Sequence, residues 1–342
     1  MRVLVTGHRG YFGSVLVPIL TTAGHEVTGV DTDYFRGCDL AETAPDVSGA
    51  REDVRDVNAG HLGRYDAIVH LAALSNDPLG EIAPECTDAI NHRASVRLAE
   101  LAKSCGVSRF VFASSCSVYG ESVDGAVDER SPVRPLSAYA HSKVAAETTL
   151  LALANDRFCP VILRNATLYG VSPRHRVDLV INNLVGWALL TKTVRLESDG
   201  TPWRPVIHVE DAARVVLAVL EAPPEVIGNR VLNVGDDSQN YQVREIADTV
   251  CKVVPGSGIE LADGAGPDPR SYRVSFGRLR QALPAFAPRW SARLGAEQLV
   301  EAYRRNKLSV AEFLGSRFNR VRHLRGLLEG GALDHDLRWR GE

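Results

Sequence analysis

The chain has 342 residues, 45% apolar and 24% charged, the balance of a globular protein large enough to bury one or two cores, which excludes a disordered chain. A formal net charge of -3 leaves no basic excess, so neither nucleic acid nor an anionic membrane is an expected partner, whereas neutral or anionic small molecules stay open. No apolar run reaches the roughly 20 residues of a membrane helix, and no signal-peptide layout precedes the first apolar run. The six cysteines, Cys38, Cys86, Cys105, Cys116, Cys159 and Cys251, form no C-x-x-C pair. A cytoplasmic protein with reduced thiols and no metal site is expected.

In chain order, short apolar runs alternate with stretches of helical periodicity, the pattern of parallel strands joined by crossover helices. Strands are expected at Arg2 to Val5, Val27 to Asp31, Ala67 to Leu71, Phe110 to Ala113 and Val161 to Arg164. Helices are expected at Tyr11 to Ala23, Ala89 to Cys105 and Ala138 to Ala154. The fold class is therefore α/β, a doubly wound parallel sheet of the Rossmann kind. After Tyr169 the rhythm breaks, with a helix at Leu179 to Leu190 and a strand at Val194 to Leu196. Residues 1–170, completed by parts of 205–240 (the helix Val209 to Leu220 and the strand Arg230 to Val234), are expected to form the larger lobe built on this sheet. Residues 171–342 are expected to form mainly a smaller substrate-binding lobe and the C-terminal helices. Gly256 to Pro269, rich in Gly, Pro and Asp, reads as a surface loop or a cover over a cleft. The tail Phe318 to Arg340 reads as a packed helix whose arginines form a solvated face.

The chemistry starts at Thr6-Gly7-His8-Arg9-Gly10-Tyr11-Phe12-Gly13, a glycine turn between a strand and a helix. Unpaired amides and the helix dipole favour phosphate there. Gly7 makes the turn, Gly10 admits the ligand backbone-close, and Gly13 lets the helix pack; the spacing carries one residue more than G-x-G-x-x-G. Three turn glycines without a ligand are the competing reading. The end of the second strand argues against it, because Asp31 can accept both adenosine ribose hydroxyls and repel a 2'-phosphate, which favours NAD over NADP. Asp33 is the competing acid.

The glycine loop, Asp31, Asp53-Val54, His70-Leu71-Ala72-Ala73, Asn91 at a helix start, Ser115, and Tyr139-Ala-His-Ser-Lys143 together resemble the extended short-chain dehydrogenase/reductases. More narrowly, they resemble the nucleotide-sugar epimerase/dehydratase branch, over Met1 to about Tyr303. The resemblance implies cofactor contacts from Gly7, Gly10, Tyr11, Phe12, Gly13, Asp31, Asp53, Val54, Leu71, Ala72, Ala73, Asn91, Ser114, Tyr139 and Lys143. Tyr139 would be the base, with Lys143 beside it on one helical face and Ser115 sharing its proton; Ser117 either assists or caps a turn. Bringing a phenol from about 10 toward neutrality takes roughly 4 kcal/mol, within reach of two cations in a dry cleft. A half-buried Tyr with a snorkelling Lys is the bland alternative.

Relatives that dehydrate or decarboxylate usually carry a carboxyl acid beside the catalytic serine, where this chain has Cys116 and Ser117. The segment is closer to the 4-epimerases, and Cys116 reads as a small apolar residue behind the serine. For the substrate, the family segments imply Thr167 (where an Asn is common), Arg204 and Arg270, and Asn182 or Asn183 could reach it; arginines suit a diphosphate. His208 reads as structural. The expected activity is NAD-dependent C4 epimerisation of a nucleotide-diphosphate sugar, an isomerase of carbohydrate biosynthesis working as a homodimer. A dehydratase or keto-sugar reductase is the alternative, and a non-catalytic NAD-binding protein a third reading.

Overall fold

The computed structural model describes residues 1–40, 47–122, 125–266, 268 and 270–341. In chain order its strands are β1 (Arg2–Thr6), β2 (Glu26–Asp31), β3 (Gly49–Arg51), β4 (Ala67–His70), β5 (Arg109–Ser115), β6 (Ala126–Val127) and β7 (Cys159–Asn165). They continue with β8 (Thr167–Tyr169), β9 (Thr193–Ser198), β10 (Trp203–His208), β11 (Arg230–Val234), β12 (Asn240–Gln242), β13 (Gly258–Gly266) and β14 (Arg273–Val274).

Seven of these form one parallel sheet in the order β11-β7-β5-β4-β1-β2-β3. Its central strands are buried on both faces, which is why they read as continuous apolar runs rather than alternating ones. On one face the helices Gly13–Thr22 and Val209–Glu221 bring Leu16, Leu20, Val215 and Val219 onto Val3 and Val5. On the other, Ala94–Ser104 and Ala138–Ala152 bring Leu98, Ala102, Ala146 and Leu150 onto Leu4, Phe110 and Phe112. The winding reverses between β1 and β4, and the register pairs Thr6 with His70 and Ser115 with Asn165. Their carboxyl ends therefore share one edge at the reversal point, where open sheets of this kind bind ligands.

Two expectations change here. The stretch from Gly256 is not a loop: β13 pairs in parallel with β9, Gly258 opposite Thr193 through Leu261 opposite Leu196, with a register shift before Gly266 meets Ser198. Ile259 packs against the core around Ile181 and Leu196 while Leu261 stays exposed, so one inward side chain amid glycines gave no strand signal. Pro269 lies outside the described residues. The tail does form a helix, Arg320–Glu329, with Leu324 buried, but its arginines are not all solvated. Arg322 and Arg325 are exposed, whereas Arg320 in the first turn is 2% exposed. Beyond it, Leu333 and Leu337 join the core against Tyr34 and Ile90, and the Tyr34 hydroxyl donates to the Leu337 carbonyl at 2.5 Å.

The helix expected from Ala89 begins as a wide turn at Asp88–Arg93 before Ala94–Ser104 takes up regular geometry. A third core, of Ile181, Leu184, Leu196, Ile246, Leu299 and Phe313, lies among the helices Val180–Thr191, Val243–Val253 and Ala292–Arg305. Beside it run the three-stranded sheet β12-β10-β8 and the β13-β9 pair. Among the described residues no helix is long and apolar enough to cross a membrane.

Candidate active site

A cavity of about 1010 Å³ opens along the carboxyl edge of the sheet, and Gly7, Gly10, Tyr11, Phe12 and Gly13 line one end of it. Gly7 sits at φ 76°, and a Cβ there would come within 2.8 Å of the Ala72 amide. A Cβ on Gly13 would meet the Gly7 carbonyl at 2.2 Å, so this glycine lets the helix close on the loop itself rather than on a strand. The result is a backbone cradle at a helix N-terminus, suited to phosphate.

Asp31 lines the same end, its carboxylate accepting from the Arg9 and Asp33 amides at 2.9 and 2.8 Å. Burial pushes its carboxyl up while those two amides pull it down. Asp33 is occupied elsewhere, 3.2 Å from Arg174 and 3.9 Å from Arg9, which leaves Asp31 as the acid facing the cavity. Asp53, Val54, Leu71, Ala72 and Ala73 complete this half.

Two of the expected cofactor residues are turned away from it. Asn91 is fully buried behind the 71–74 turn, accepting from the Leu74 amide at 2.8 Å and donating to the Leu74 carbonyl at 3.1 Å. It shapes the cavity wall without reaching the cavity. Ser114 is part of the lining, but its hydroxyl is turned to the buried Glu147 carboxylate, to which it donates.

In the middle of the cavity Ser115, Ser117, Tyr139 and Lys143 come together. Ser137 caps the helix Ala138–Ala152, accepting from the Ala140 amide, and the four-residue spacing places Tyr139 and Lys143 on its inner face. The Lys143 ammonium donates to the Ala113 carbonyl at 2.8 Å and lies 5.7 Å from the Tyr139 ring centre. Burial pulls it down to about 7 against the pull of Glu147. Burial, then the Asp77 carboxylate, pushes the Tyr139 phenol above its ordinary value, and a hydrogen bond with Ser115 opposes them. The Ser115 Oγ, not Ser117, caps the following turn, accepting from the Ser117 amide at 3.1 Å. The Ser117 hydroxyl is buried with no hydrogen-bond partner among the described residues, a polar group facing the cavity. Cys116 is buried against the Arg164 carbonyl, and burial pushes its thiol up, as befits an inert apolar residue.

At the far end Thr167, Arg204 and Arg270 line the cavity. Asp268 bridges the two arginines, 2.8 Å from each, and Arg270 also reaches Asp77 at 3.2 Å. Asn182 does not reach the cavity: its amide is saturated by the Gly170 amide and the Gly170 and Arg176 carbonyls. Its neighbour Asn183 lines the cavity instead. His208 stacks on Trp290 at 4.0 Å and bonds Gln298, a structural position. The sequence reading missed Asn165, whose Oδ1 is buried at the cavity wall with no hydrogen-bond partner among the described residues, and Arg176, held by Asp178 at 2.6 Å. Both sit close to residues the sequence does point to, Asn165 two places before Thr167 and Arg176 six places before Asn182.

The model of the NAD dependent epimerase/dehydratase family matches residues 3–235. The chain belongs to that family. It is 31% identical over 291 residues to a UDP-glucose 4-epimerase of Mycolicibacterium smegmatis, covering 82% of this chain and 88% of the relative. It is also 30% identical over 336 residues to a dTDP-glucose 4,6-dehydratase of Streptomyces niveus, covering 90% and 94%. Among solved structures, MoeE5 in complex with UDP-glucuronic acid and NAD superposes with a TM-score of 0.76 at 31% identity, covering 89% of this chain and 99% of that one.

The chain is thus an NAD-dependent enzyme of this epimerase/dehydratase family, on the doubly wound fold its sequence pattern predicts. The residues present fit the cofactor. A side chain at Gly7 or Gly13 would strike the backbone that shapes the cradle, and Asp31 stands at the end of β2 where a ribose carrying free hydroxyls would lie.

Proposed function

We propose that the chain is a 4-epimerase of a nucleotide-diphosphate sugar. The observation that carries this reading is the joining of Ser115, Tyr139 and Lys143 in one cavity, with Cys116 and Ser117 where a dehydratase would need a carboxyl acid. Tyr139 takes the proton of the sugar 4-hydroxyl and Ser115 holds that hydroxyl by a hydrogen bond. NAD+ held in the cavity would supply a reversible hydride acceptor and a positive charge. Lys143 holds its ammonium 5.7 Å from the centre of the Tyr139 ring, a charge that favours the phenolate against the burial that raises the phenol. The 4-keto sugar turns over between oxidation and reduction, and Tyr139 returns the proton to the opposite epimer.

Arg204 and Arg270 hold the diphosphate in this reading, exchanging Asp268 for phosphate oxygens, with Thr167 beside them. Ser117 offers its free hydroxyl to the sugar. The 1–170 portion with parts of 205–240 holds NAD, and 171–342 mainly the nucleotide sugar. The enzyme works as a homodimer joined through the helices Ala94–Ser104 and Ala138–Ala152, which light scattering would read directly.

A dehydratase is the second reading, because one relative carries that activity and the carboxylate of Asp77 lines the cavity. Asp77 already accepts from Ser137 and Arg270, which suits a fixed anion better than an acid that must give up a proton. The test is a screen of UDP and dTDP sugars with catalytic NAD+ and chromatographic separation of products. A 4-epimer of the same mass supports the proposal, and a product lighter by one water overturns it.

A further inference from the structure

Arg320 opens the C-terminal helix, whose N-terminus is capped by the Asn319 side chain. It is 2% exposed, and its guanidinium carbon stands 3.8 Å from the centre of the Phe35 ring. Its Nη2 donates to the Arg174 carbonyl at 3.0 Å, while Nη1 is buried with no hydrogen-bond partner among the described residues. The neighbouring arginines are already spent. Arg174 is paired with Asp33 at 3.2 Å and Asp39 at 3.0 Å, and Arg176 with Asp178 at 2.6 Å.

Among the described residues no carboxylate pairs with Arg320, and burial followed by Arg176 pulls its guanidinium down to about 9. Asp178 acts on this charge from a distance, but a buried cation with no ion-pair partner among the described residues is costly, so it points to an anion that arrives from outside the chain. Arg320 lines the same cavity as Gly10, Tyr11 and Asp31, and its charge acts on the Tyr11 phenol within the glycine loop.

We propose that Arg320 binds the diphosphate of the dinucleotide from the side opposite the glycine loop. The amides of the loop and the N-terminus of the helix Gly13–Thr22 hold one flank of the anion, and a charge-assisted guanidinium contact holds the other. The C-terminal segment thereby becomes part of the cofactor site. Its tail is tied to the same wall: the Tyr34 hydroxyl bonds the Leu337 carbonyl, and the Trp339 indole donates to the Thr32 carbonyl at 2.8 Å, with Tyr34 and Thr32 both lining the cavity. The inference rests on the dinucleotide site and not on which sugar reaction follows.

The test is calorimetric titration of the nucleotide-free chain with NAD+, ADP and adenosine. Arg320→Met should weaken NAD+ and ADP about 10- to 100-fold and leave adenosine within about twofold, with Arg320→Lys falling between. Equal weakening of all three ligands would make Arg320 a merely structural residue, and an unchanged ADP affinity would also overturn the proposal. A second measurement needs no variant: in the unaltered chain ADP should slow hydrogen exchange across residues 320–329 more than adenosine does. Equal protection by the two ligands overturns the proposal. An unaltered chain that bound none of the three would fail the cofactor reading itself, a distinct outcome.

Discussion

Glu147 lies one turn beyond Lys143 on the same helix and carries a buried ionic network next to the cavity residue Ser114. Its carboxylate accepts from Arg164 Nε at 3.1 Å and Nη2 at 2.6 Å and from the Ser114 hydroxyl, and both charged partners are almost fully buried. Arg164 in turn donates to the Tyr119 hydroxyl at 3.1 Å, which donates to Asn233 at 2.7 Å. Glu147→Ala would leave a guanidinium in the core with the tyrosine as its remaining partner, a loss of about 3–5 kcal/mol. Replacing both partners, as Glu147→Leu with Arg164→Met, removes the stranded charge and should recover most of that loss. Urea unfolding measures both, the midpoint shift multiplied by the slope giving the free-energy difference. The single variant should also lower the Lys143 ammonium further, since Glu147 is what holds it up. A single variant within about 1 kcal/mol of the unaltered chain, or a double variant as unstable as the single, would refute the network's role.

Tyr139→Phe should abolish turnover with an unchanged melting temperature, because it removes only the oxygen that carries the proton; near-normal activity would take Tyr139 out of the mechanism. Asp31→Ala should weaken NAD and narrow the discrimination against NADP, since it removes the ribose acceptor and a repulsive charge, and titration with both cofactors reads it. An undiminished preference for NAD would move that role to another residue. Lys143 is pulled down to about 7 in the folded chain from an ordinary 10.5, so between those values the unfolded chain holds the extra proton. Stability should therefore rise with pH through that window by up to about 1.4 kcal/mol per unit, the cost of the buried ammonium being full below pH 7. Lys143→Met should flatten the rise between pH 7 and 9 in thermal melts, and an identical slope in the variant would contradict the burial account.

The parallel sheet and the glycine loop were legible because each leaves a local pattern: apolar runs buried on both faces, and small residues where backbone must approach backbone. The positions of Asp31, Tyr139 and Lys143 on the cavity were legible for the same reason, each set by its place on one strand or one helix. Asn91 and Asn182 were not. Their partners lie 17 and 12 residues away in Leu74 and Gly170, and the sequence does not say that an amide will be saturated by the chain before it can meet a ligand. The choice between Asp31 and Asp33 likewise depended on Arg174, far along the chain. β13 escaped because Ile259 is its one side chain packed on the core beyond the exposed Leu261, and its glycines read as turns. Arg320 escaped because its helix alternates arginines with apolar residues, and periodicity could not tell the one that turns inward from Arg322 and Arg325.

The central claim, that the sugar is oxidised and reduced at one carbon, is tested most directly by following one hydrogen. A nucleotide sugar deuterated at C4, incubated with the purified enzyme and catalytic NAD+, should yield an epimer that keeps its label, with no solvent hydrogen entering carbon. Mass spectrometry of the product, with a parallel reaction in heavy water, reads both quantities. Deuterium lost from C4, or solvent deuterium gained at C5, would contradict epimerisation at C4.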